Sequence, residues 1–286
     1  MPRAAASSQS EGRSMKIWFI TGATSGLGRA WAEAALERGD RVAATGRGIE
    51  RLDDLVARFG DALLPLRLDV TDREAVVDAV RASHARLGGL DVVVNGAGYG
   101  HWGMTEEVTE RELREQMETN FFGTAWVTQA ALPLLRAQGS GRILQVTSEG
   151  GVRAYPGIAA YHASKWAVEG LSEALAQEVA PFGIHVTCVE PGPYATSFSS
   201  AVRASAQLPD YDAVRAADDS AFRLGDPLAT SAAILRLVDA DQPPRRLILG
   251  DVVPTIIDLH EQRIAEWRTW EAESLAAFGE VQAAER

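Results

Sequence analysis

Short apolar runs alternate with longer amphipathic segments between residues 16 and 249. Seven runs rich in β-branched residues or leucine, bounded by Gly, Asp or Pro, predict β-strands at residues 16–20, 41–45, 63–68, 91–94, 142–146, 185–189 and 246–249. The intervening patterns predict α-helices at residues 28–38, 50–59, 73–86, 110–136, 161–180 and 227–239. Because the strands lack strict alternation, we expect both of their faces to be buried. This order predicts an α/β protein with a doubly wound (Rossmann), mostly parallel seven-stranded sheet and helices on both faces.

Three segments lie outside this regular repeat. Residues 1–14 are rich in Ala and Ser, lack the apolar centre of a secretory signal, and predict a disordered N-terminal extension. Residues 15–286 contain no linker or internal repeat, which predicts a single domain. Within it, residues 193–223 are irregular and follow a strand, so they predict a substrate lid, with a plain surface excursion as the alternative. Residues 255–278 predict a C-terminal helix.

Composition narrows the choice of partners. The 286 residues carry a formal net charge of −11, which argues against a nucleic-acid partner because an acidic surface repels phosphate. The single cysteine, Cys188, excludes an internal disulfide and fits a reducing, cytoplasmic location. No run of eighteen apolar residues occurs, so we expect no membrane span.

A glycine-rich loop joins the first predicted strand to the first helix. A helix N-terminus offers free N–H groups and a positive dipole end, which bind an anion such as a pyrophosphate. The spacing G-x-x-x-G-x-G suits such binding, because the first glycine permits a tight turn, the second admits the pyrophosphate, and the third allows close helix–strand contact. The alternative is a glycine turn selected for packing alone. The candidate cofactor-binding residues here are Gly22, Thr24, Ser25, Gly26, Leu27 and Gly28.

The end of the second strand bears on which nucleotide binds. NAD sites usually place an acidic residue there to bind the ribose 2′-hydroxyl, but this chain has Arg47 after Thr45 and Gly46. An arginine pairs well with a 2′-phosphate, so the position favours NADP(H), with NAD(H) still open and a solvated Arg47 as the alternative. Asp69 ends the third strand, where it suits either an adenine amino group or a helix cap.

Tyr161 and Lys165 lie four residues apart at the start of a predicted helix, so their side chains share one face. Lys165 is one of only two lysines, beside Lys16, among 28 basic residues. A nearby ammonium stabilises phenolate, so we expect it to lower the pKa of Tyr161 and make that residue a general acid/base. Ser148 follows the fifth strand, where its hydroxyl is placed to polarise a substrate carbonyl.

With these motifs the sequence resembles the short-chain dehydrogenase/reductase family, in its single-domain branch, from about residue 16 to residue 249. Residues 95–98, Asn-Gly-Ala-Gly, resemble the family's Asn-Asn-Ala-Gly motif, with Gly96 in place of the second Asn. Asn120, Ser148, Tyr161 and Lys165 match the catalytic tetrad. The further cofactor residues that the resemblance implies are Val70, Asn95, Ala97, Gly98, Pro191, Gly192 and Thr196.

The resemblance implies hydride transfer between NADP(H) and a carbonyl or alcohol carbon. Tyr161 would exchange a proton with the substrate oxygen, and Ser148 would bind that oxygen. Lys165 would lower the Tyr161 pKa and bind the nicotinamide ribose, while Asn120 would support a water path to Lys165. The resemblance also implies a homodimer or homotetramer paired through residues 110–136 and 161–180, where Trp126 and Trp166 suit an interface or a core.

The walls of the substrate site are expected at residues 98–102, 149–155 and 193–223. Aromatic residues there favour a small lipophilic carbonyl or alcohol substrate. The candidate substrate residues are Trp102, Glu149, Tyr155, Tyr194 and Phe198, with Tyr99 in the same ring. His101 and His162 have no third ligand at a suitable spacing, so we expect no metal site.

The sequence leaves two other functions open. A catalytically silent, nucleotide-binding regulatory protein has the same fold but has no need of Ser148, Tyr161 or Lys165. An epimerase or dehydratase that transfers hydride internally usually needs a larger substrate domain.

Overall fold

The computed structural model describes residues 15–217 and 223–279. The extension predicted at residues 1–14 and the end of the predicted lid at residues 218–222 lie outside the described residues.

Seven of the nine strands in the described ranges build one parallel sheet. In chain order the strands are β1 (Ile17–Thr21), β2 (Arg41–Gly46), β3 (Leu63–Arg67), β4 (Val92–Asn95), β5 (His101–Trp102), β6 (Gly141–Val146), β7 (Ile184–Pro191), β8 (Arg203–Ala204) and β9 (Arg246–Leu249). The main sheet has the order β3-β2-β1-β4-β6-β7-β9, and every neighbouring pair is parallel. Each predicted strand falls on an observed one, and the doubly wound α/β fold is confirmed.

The helices agree with the predictions in position but differ in continuity. Those in the described residues are α1 (Gly26–Glu37), α2 (Asp53–Phe59), α3 (Arg73–Leu87), α4 (Glu110–Met117), α5 (Gly123–Gln138), α6 (Ala159–Val179), α7 (Phe198–Ala201), α8 (Asp212–Ala216), α9 (Ser231–Asp239), α10 (Val253–Thr269) and α11 (Glu271–Ala276). A π-helical turn at Glu118–Phe122 divides the helix predicted at 110–136. Trp270 separates α10 from α11, so the predicted C-terminal helix is two helices. None of these helices has the length and apolar character of a bilayer-crossing segment.

Two apolar cores lie on opposite faces of the sheet. Trp18 and Ile20 pack on the face covered by α1 and α9, whereas Ile17 and Phe19 pack on the face covered by α3 and α5. Successive residues of a strand point to opposite faces, so a strand between two cores is apolar at every position. This is the physical reason why the strand segments lack alternation, and it leaves the ends of the strands as the place for polar groups.

The order of the strands reverses between β1 and β4, which opens a crevice at their carboxyl ends. Thr21 ends β1 beside Asn95 at the end of β4. The Thr21 hydroxyl accepts hydrogen bonds from the backbone N–H groups of Gly96 (3.1 Å) and Ala97 (3.2 Å). These bonds hold the loop after β4 against the loop after β1.

A small second sheet joins the predicted lid to the rest of the domain. β5 pairs with β8 in parallel, with His101 opposite Arg203. The Ser205 hydroxyl donates to the Glu112 carboxylate at 3.0 Å and lies 2.8 Å from Nε2 of His101. These contacts hold the chain after β7 close to the loop after β4.

A buried carboxylate joins the beginnings of the first two strands. Asp40 accepts hydrogen bonds from the Trp18 indole N–H (2.7 Å) and the Lys16 backbone N–H (3.1 Å), and it pairs with Arg38. The Trp18 indole and the Arg38 guanidinium are also shielded from water, and Arg38 pairs in addition with Asp239 at 3.2 Å.

We expect Asp40→Ala to lower the free energy of unfolding by about 3 kcal/mol, because it leaves a buried indole N–H without its acceptor and takes from Arg38 one of its two carboxylate partners. Urea denaturation of the variant measures the loss. Asp61→Ala, which changes an exposed carboxylate, is the matched control with an expected effect within about 0.5 kcal/mol. Equal midpoints for the two variants would contradict this account of Asp40.

Candidate active site

The glycine loop between β1 and α1 packs tightly against its neighbours. Gly22 has a left-handed φ of 68°, and a Cβ added there would lie 2.6 Å from the carbonyl oxygen of Gly96. A Cβ on Gly28 would lie 2.6 Å from the Gly22 carbonyl oxygen. Gly26, with a φ of 55°, faces Thr196, whose side chain would be 3.3 Å from an added Cβ. The loop after β7 therefore lies across the start of α1.

The start of α1 fits a phosphate group. Its first turn contains no acidic residue, and the Ser25 side chain at the N-cap makes no capping hydrogen bond. The first N–H groups of an α-helix have no partner within the helix, so those of Gly26, Leu27 and Gly28 are donors for an anion. Thr24 also lies at this turn, with its side chain against Gly46 at the end of β2.

The Arg47 guanidinium is available to bind a phosphate group. Its side chain is exposed, and its guanidinium makes no hydrogen bond or ion pair with any residue that the structure describes. By contrast, Arg67 nearby is paired with Glu50 at 3.3 Å. Arg47 also acts on the Tyr99 phenol, where it opposes the rise in pKa that burial causes.

The other predicted cofactor residues take different places around the crevice. Asp69 accepts hydrogen bonds from the backbone N–H (3.0 Å) and hydroxyl (2.8 Å) of Thr71, so its carboxylate shapes the turn before α3. Val70 is buried and would be 2.6 Å from a Cβ on Gly123. Pro191 ends β7, and the Gly192 N–H donates to the Leu249 carbonyl at 2.8 Å.

The Asn95 side chain lies inside the domain. Its amide donates to Gln145 Oε1 (2.8 Å) and Thr128 Oγ1 (3.1 Å), and the side chain is buried. It therefore joins β4 to β6 and α5, which positions the following residues. Of these, Gly98 lies closest to the catalytic groups, because a Cβ there would be 3.1 Å from Asn120 Oδ1 and 3.5 Å from Lys165 Nζ.

Ser148, Tyr161 and Lys165 come together at the carboxyl edge of the sheet. The Ser148 side chain lies close enough to the Tyr161 phenol to lower its pKa. Ser148 Oγ also accepts from the Gly150 N–H at 3.0 Å, which fixes the turn after β6. The Lys165 ammonium donates to the Val146 carbonyl at 2.8 Å and lies 5.8 Å from the Tyr161 ring centroid.

Burial governs the electrostatics of this group. It raises the pKa of Tyr161 to about 12, with a partial reduction from the Ser148 side chain and a further increase from the Glu149 charge. Burial also lowers the pKa of Lys165 to about 8, against the opposing effect of Glu169. The expectation that Lys165 lowers the Tyr161 pKa is therefore not met in this structure. Loss of water favours the neutral form of both groups.

Asn120 lies in the π-helical turn between α4 and α5 and is fully buried. Its Oδ1 accepts from the Tyr99 N–H (3.1 Å), and its Nδ2 donates to the Tyr99 carbonyl and to Ser164 Oγ (both 3.0 Å). The Ser164 hydroxyl in turn donates to the Tyr161 carbonyl at 2.7 Å. Asn120 thus joins the loop after β4 to the catalytic stretch of α6, while its role in a water path stays a prediction.

His162 holds the wall beside Tyr161, a role that the sequence did not indicate. Its Nε2 accepts from the Tyr155 N–H at 2.9 Å, and its Nδ1 donates to the Gly150 carbonyl at 2.8 Å. Burial lowers the pKa of His162, which preserves the neutral form that this pair of bonds requires. Glu149 accepts from the Tyr155 hydroxyl at 2.8 Å and pairs with Arg153 at 3.4 Å, so part of the predicted substrate wall is ionic.

The remaining predicted substrate residues do not form a single ring. Phe198 contacts Tyr161 edge to face, with ring centroids 5.7 Å apart. Trp102 lies with Met104 and Pro156 on a separate cavity of about 190 Å³. Tyr194 packs against Gly225 and the core beneath α1 and α9.

Glu107 is a second residue that the sequence did not single out. Its side chain is 1% exposed, and it accepts hydrogen bonds from the N–H groups of Met104 and Leu208, both at 2.7 Å. It also pairs with Arg215 at 2.7 Å, which joins the predicted lid to the loop after β5. In sequence Glu107 is one of two adjacent glutamates and has no signal that separates it from a solvated acid.

His101 is hydrogen-bonded within the second sheet, as described above. Across residues 15–217 and 223–279, no group of three or more His, Cys, Asp or Glu side chains is arranged to hold a metal ion.

The family model described as short chain dehydrogenase matches residues 16–207. The chain belongs to the short-chain dehydrogenase/reductase family. It is 41% identical over 274 residues to oxidoreductase BOA17 of Botryotinia fuckeliana, an alignment that covers 92% of this chain and 99% of that relative. It is 36% identical over 249 residues to the 3-ketodihydrosphingosine reductase of Bacteroides thetaiotaomicron, covering 84% of this chain and 90% of that protein. The crystal structure of a short-chain dehydrogenase from Streptomyces avermitilis matches with a TM-score of 0.86 and 43% identity, over 92% of this chain and 99% of that one.

Membership of the family makes the protein an NAD(P)-dependent dehydrogenase/reductase. Related structures contain either type of nucleotide. An alcohol dehydrogenase from Thermococcus sibiricus is complexed with 5-hydroxy-NADP (27% identity, TM-score 0.70, 82% of this chain and 96% of that one). A 3-ketoacyl-(acyl-carrier-protein) reductase from Brucella melitensis is complexed with NADH (28% identity, TM-score 0.72, 82% and 96%).

We expect Gly28→Ala to weaken nicotinamide nucleotide binding at least about tenfold, because the added methyl group forces α1 away from the loop after β1. Titration of intrinsic fluorescence with NADPH and NADH measures the affinity. Gly170→Ala is the matched control, since a Cβ at that helical glycine meets nothing within 4 Å. Unchanged affinity in Gly28→Ala would show that the nucleotide does not depend on this contact.

Proposed function

We propose that the protein is an NADP(H)-dependent oxidoreductase that interconverts a ketone or aldehyde and the corresponding alcohol on a lipophilic substrate, with Tyr161 as the general acid/base. The observation that carries the proposal is the convergence of Ser148, Tyr161 and the Lys165 ammonium at the carboxyl edge of the sheet. A regulatory protein has no need for this arrangement.

The electrostatics of the site keep a proton on Tyr161. Because burial raises the pKa of Tyr161 to about 12, the phenol is protonated at neutral pH, and in the reduction it would donate this proton to the substrate oxygen. Ser148 binds the same oxygen through its hydroxyl. Lys165, with a pKa lowered to about 8, holds a proton that it releases more readily than an ordinary lysine, so it can resupply the phenol.

The cofactor proposal is NADP(H), with NAD(H) as the alternative. When bound, the reduced nucleotide supplies the hydride. The N-terminus of α1 and Gly26 would hold its pyrophosphate, and Thr196 closes this side of the loop. The unpaired guanidinium of Arg47 would bind the 2′-phosphate.

The substrate proposal rests on the residues around Tyr161. Phe198 presents an apolar ring to the phenol, and the Tyr155 ring lies 5.5 Å from that of His162 on the other wall. These rings suit a lipophilic group next to the reacting carbonyl. The reductase of 3-ketodihydrosphingosine named above is consistent with a ketone substrate.

For the assembly we propose a homodimer or homotetramer paired through α4–α5 and α6. Trp166 on α6 is 43% exposed, which is unusual for a tryptophan and suits a partner surface. Trp126 instead packs against the core on the α3 side, between Phe122 and Arg73. The single, buried Cys188 is consistent with a cytoplasmic location.

We expect Tyr161→Phe to lower kcat/KM for carbonyl reduction about 10²- to 10⁴-fold while the Kd for NADPH changes less than about threefold, because the variant loses only the proton donor. Nicotinamide absorbance with a panel of lipophilic ketones measures turnover. Tyr211→Phe, which removes a hydroxyl bonded to Glu106 at the surface, is the control. Nucleotide binding without turnover by the wild-type protein would favour the regulatory alternative.

We expect Arg47→Leu to weaken NADPH binding about tenfold or more and to leave NADH binding unchanged, since only the 2′-phosphate is lost as a partner. Arg51→Leu, at another exposed arginine nearby, should change neither affinity. A wild-type preference for NADH would remove this role of Arg47 and leave the oxidoreductase proposal intact.

A further inference from the structure

Two buried glutamates and one arginine lie behind the catalytic residues. Arg246, at the start of β9, places Nη1 against both the Glu169 carboxylate and the Glu190 carboxylate, the latter at 3.2 Å. The glutamate side chains are only 6% and 1% exposed, respectively. We call these three residues the buried Glu–Arg–Glu cluster after its two carboxylates, since the Arg246 side chain itself is 40% exposed.

The cluster adjoins the three segments that carry Lys165, Ser148 and Pro191. Glu169 lies one helical turn after Lys165 on α6 and acts on its charge. Gly151 approaches Glu169 so closely that a Cβ would be 3.1 Å from its Cγ, and this glycine belongs to the turn that begins at Ser148. Glu190 immediately precedes Pro191, whose carbonyl lies 3.5 Å from the Ser148 hydroxyl.

The charges within the cluster do not balance. Two buried carboxylates face one guanidinium, and Glu173, the third carboxylate on Arg246 at 3.2 Å, is 61% exposed and screened by water. From β7 the Cys188 thiol also faces Glu169, and burial keeps it neutral by raising its pKa. Arg246 therefore cannot neutralise both buried carboxylates by itself, and the other cation close to them is Lys165, one helical turn from Glu169. A buried carboxylate that lacks a neutralising partner is in an expensive state unless it binds a proton.

Two details of the structure agree with a bound proton. Glu169 Oε1 is buried and has no hydrogen-bond partner among the described residues. Burial, followed by the Glu169 charge, raises the pKa of Glu190 to about 7, with Arg246 opposing.

We propose that the buried Glu–Arg–Glu cluster is a positioning element for the reaction, which holds Lys165, the Ser148 turn and the Pro191–Gly192 segment together and binds one proton in its neutral state. Loss of that proton adds a negative charge behind Lys165. A change of pH near neutrality therefore changes the protonation of the cluster, and Glu169 transmits this change to the charge of Lys165. The catalytic part of this proposal rests on the proposed function, whereas the proton itself does not.

The bound proton is tested without substrate, by thermal unfolding of the whole protein between pH 5 and pH 8. Glu190 has a raised pKa in the folded state, so the fold binds more protons than the unfolded chain and loses stability as pH rises from about 4.5 to about 7. Glu190→Gln imitates the protonated carboxyl and removes this loss. We expect the Tm of Glu190→Gln minus that of the wild type to increase by on the order of 5 °C across this range. Glu173→Gln should show no such trend.

The positioning role is tested by the pH profile of kcat/KM. Glu169→Gln removes a charge that favours the Lys165 ammonium, so we expect the alkaline limb to move to lower pH by about half a unit or more. Glu169→Asp keeps the charge, so its alkaline limb should lie at the wild-type pH. This variant is also the one to measure if Glu169→Gln does not fold. Glu173→Gln, on the same helix and the same arginine, should leave it in place.

A Tm difference between Glu190→Gln and the wild type that stays constant from pH 5 to pH 8 would overturn the proposal that the cluster binds a proton. An alkaline limb that moves no further in Glu169→Gln than in Glu173→Gln would overturn the positioning role. If the wild type reduces no carbonyl compound, the proposed function fails, and the unfolding series still decides whether the cluster binds a proton.

Discussion

Direct backbone contact between the first glycine loop and the loop after β4 is the constraint on which the catalytic edge depends. At Gly22 and Gly28 the chain leaves no room for a Cβ, because carbonyl oxygens lie where that atom would be. The Thr21 hydroxyl reinforces the contact by accepting two N–H groups of the adjacent loop. Since β1 and β4 adjoin where the strand order reverses, this contact aligns the N-terminus of α1, the proposed phosphate site, with the segment that carries Gly98 next to Lys165.

Burial of the sheet on both faces determines where the reactive side chains lie. Strand side chains fill two apolar cores, so the reactive groups lie at strand ends and on the helices next to them. There they are still largely withdrawn from water, which makes Tyr161 a weaker acid and Lys165 a stronger one than in solution. A protonated phenol next to a lysine that releases its proton readily is an arrangement suited to donating a proton to a carbonyl oxygen.

Several polar contacts connect the loops around the site to the rigid sheet. His162 holds the wall that contains Tyr155, and Glu107 holds the chain after β8 through Leu208 and Arg215. The buried Glu–Arg–Glu cluster lies behind both catalytic segments. The hydrogen bonds and ion pairs of His162, Glu107 and the cluster depend on the protonation states of these groups. The geometry of the site and its electrostatics are therefore linked.

The sequence by itself determined the strands, the glycine loop and the spacing of Tyr161 and Lys165, because these features are periodic or local and are set by side-chain direction. It did not reveal the π-helical turn at Asn120, since a helix with one wider turn keeps nearly the same apolar pattern. Only the tertiary structure decided the direction of the pKa shifts, the separation of Trp102 and Tyr194 from Phe198, and the pairing of Arg246 with Glu169. The physical reason is that desolvation and pairing depend on residues distant in the chain, 77 positions apart in the case of Arg246 and Glu169.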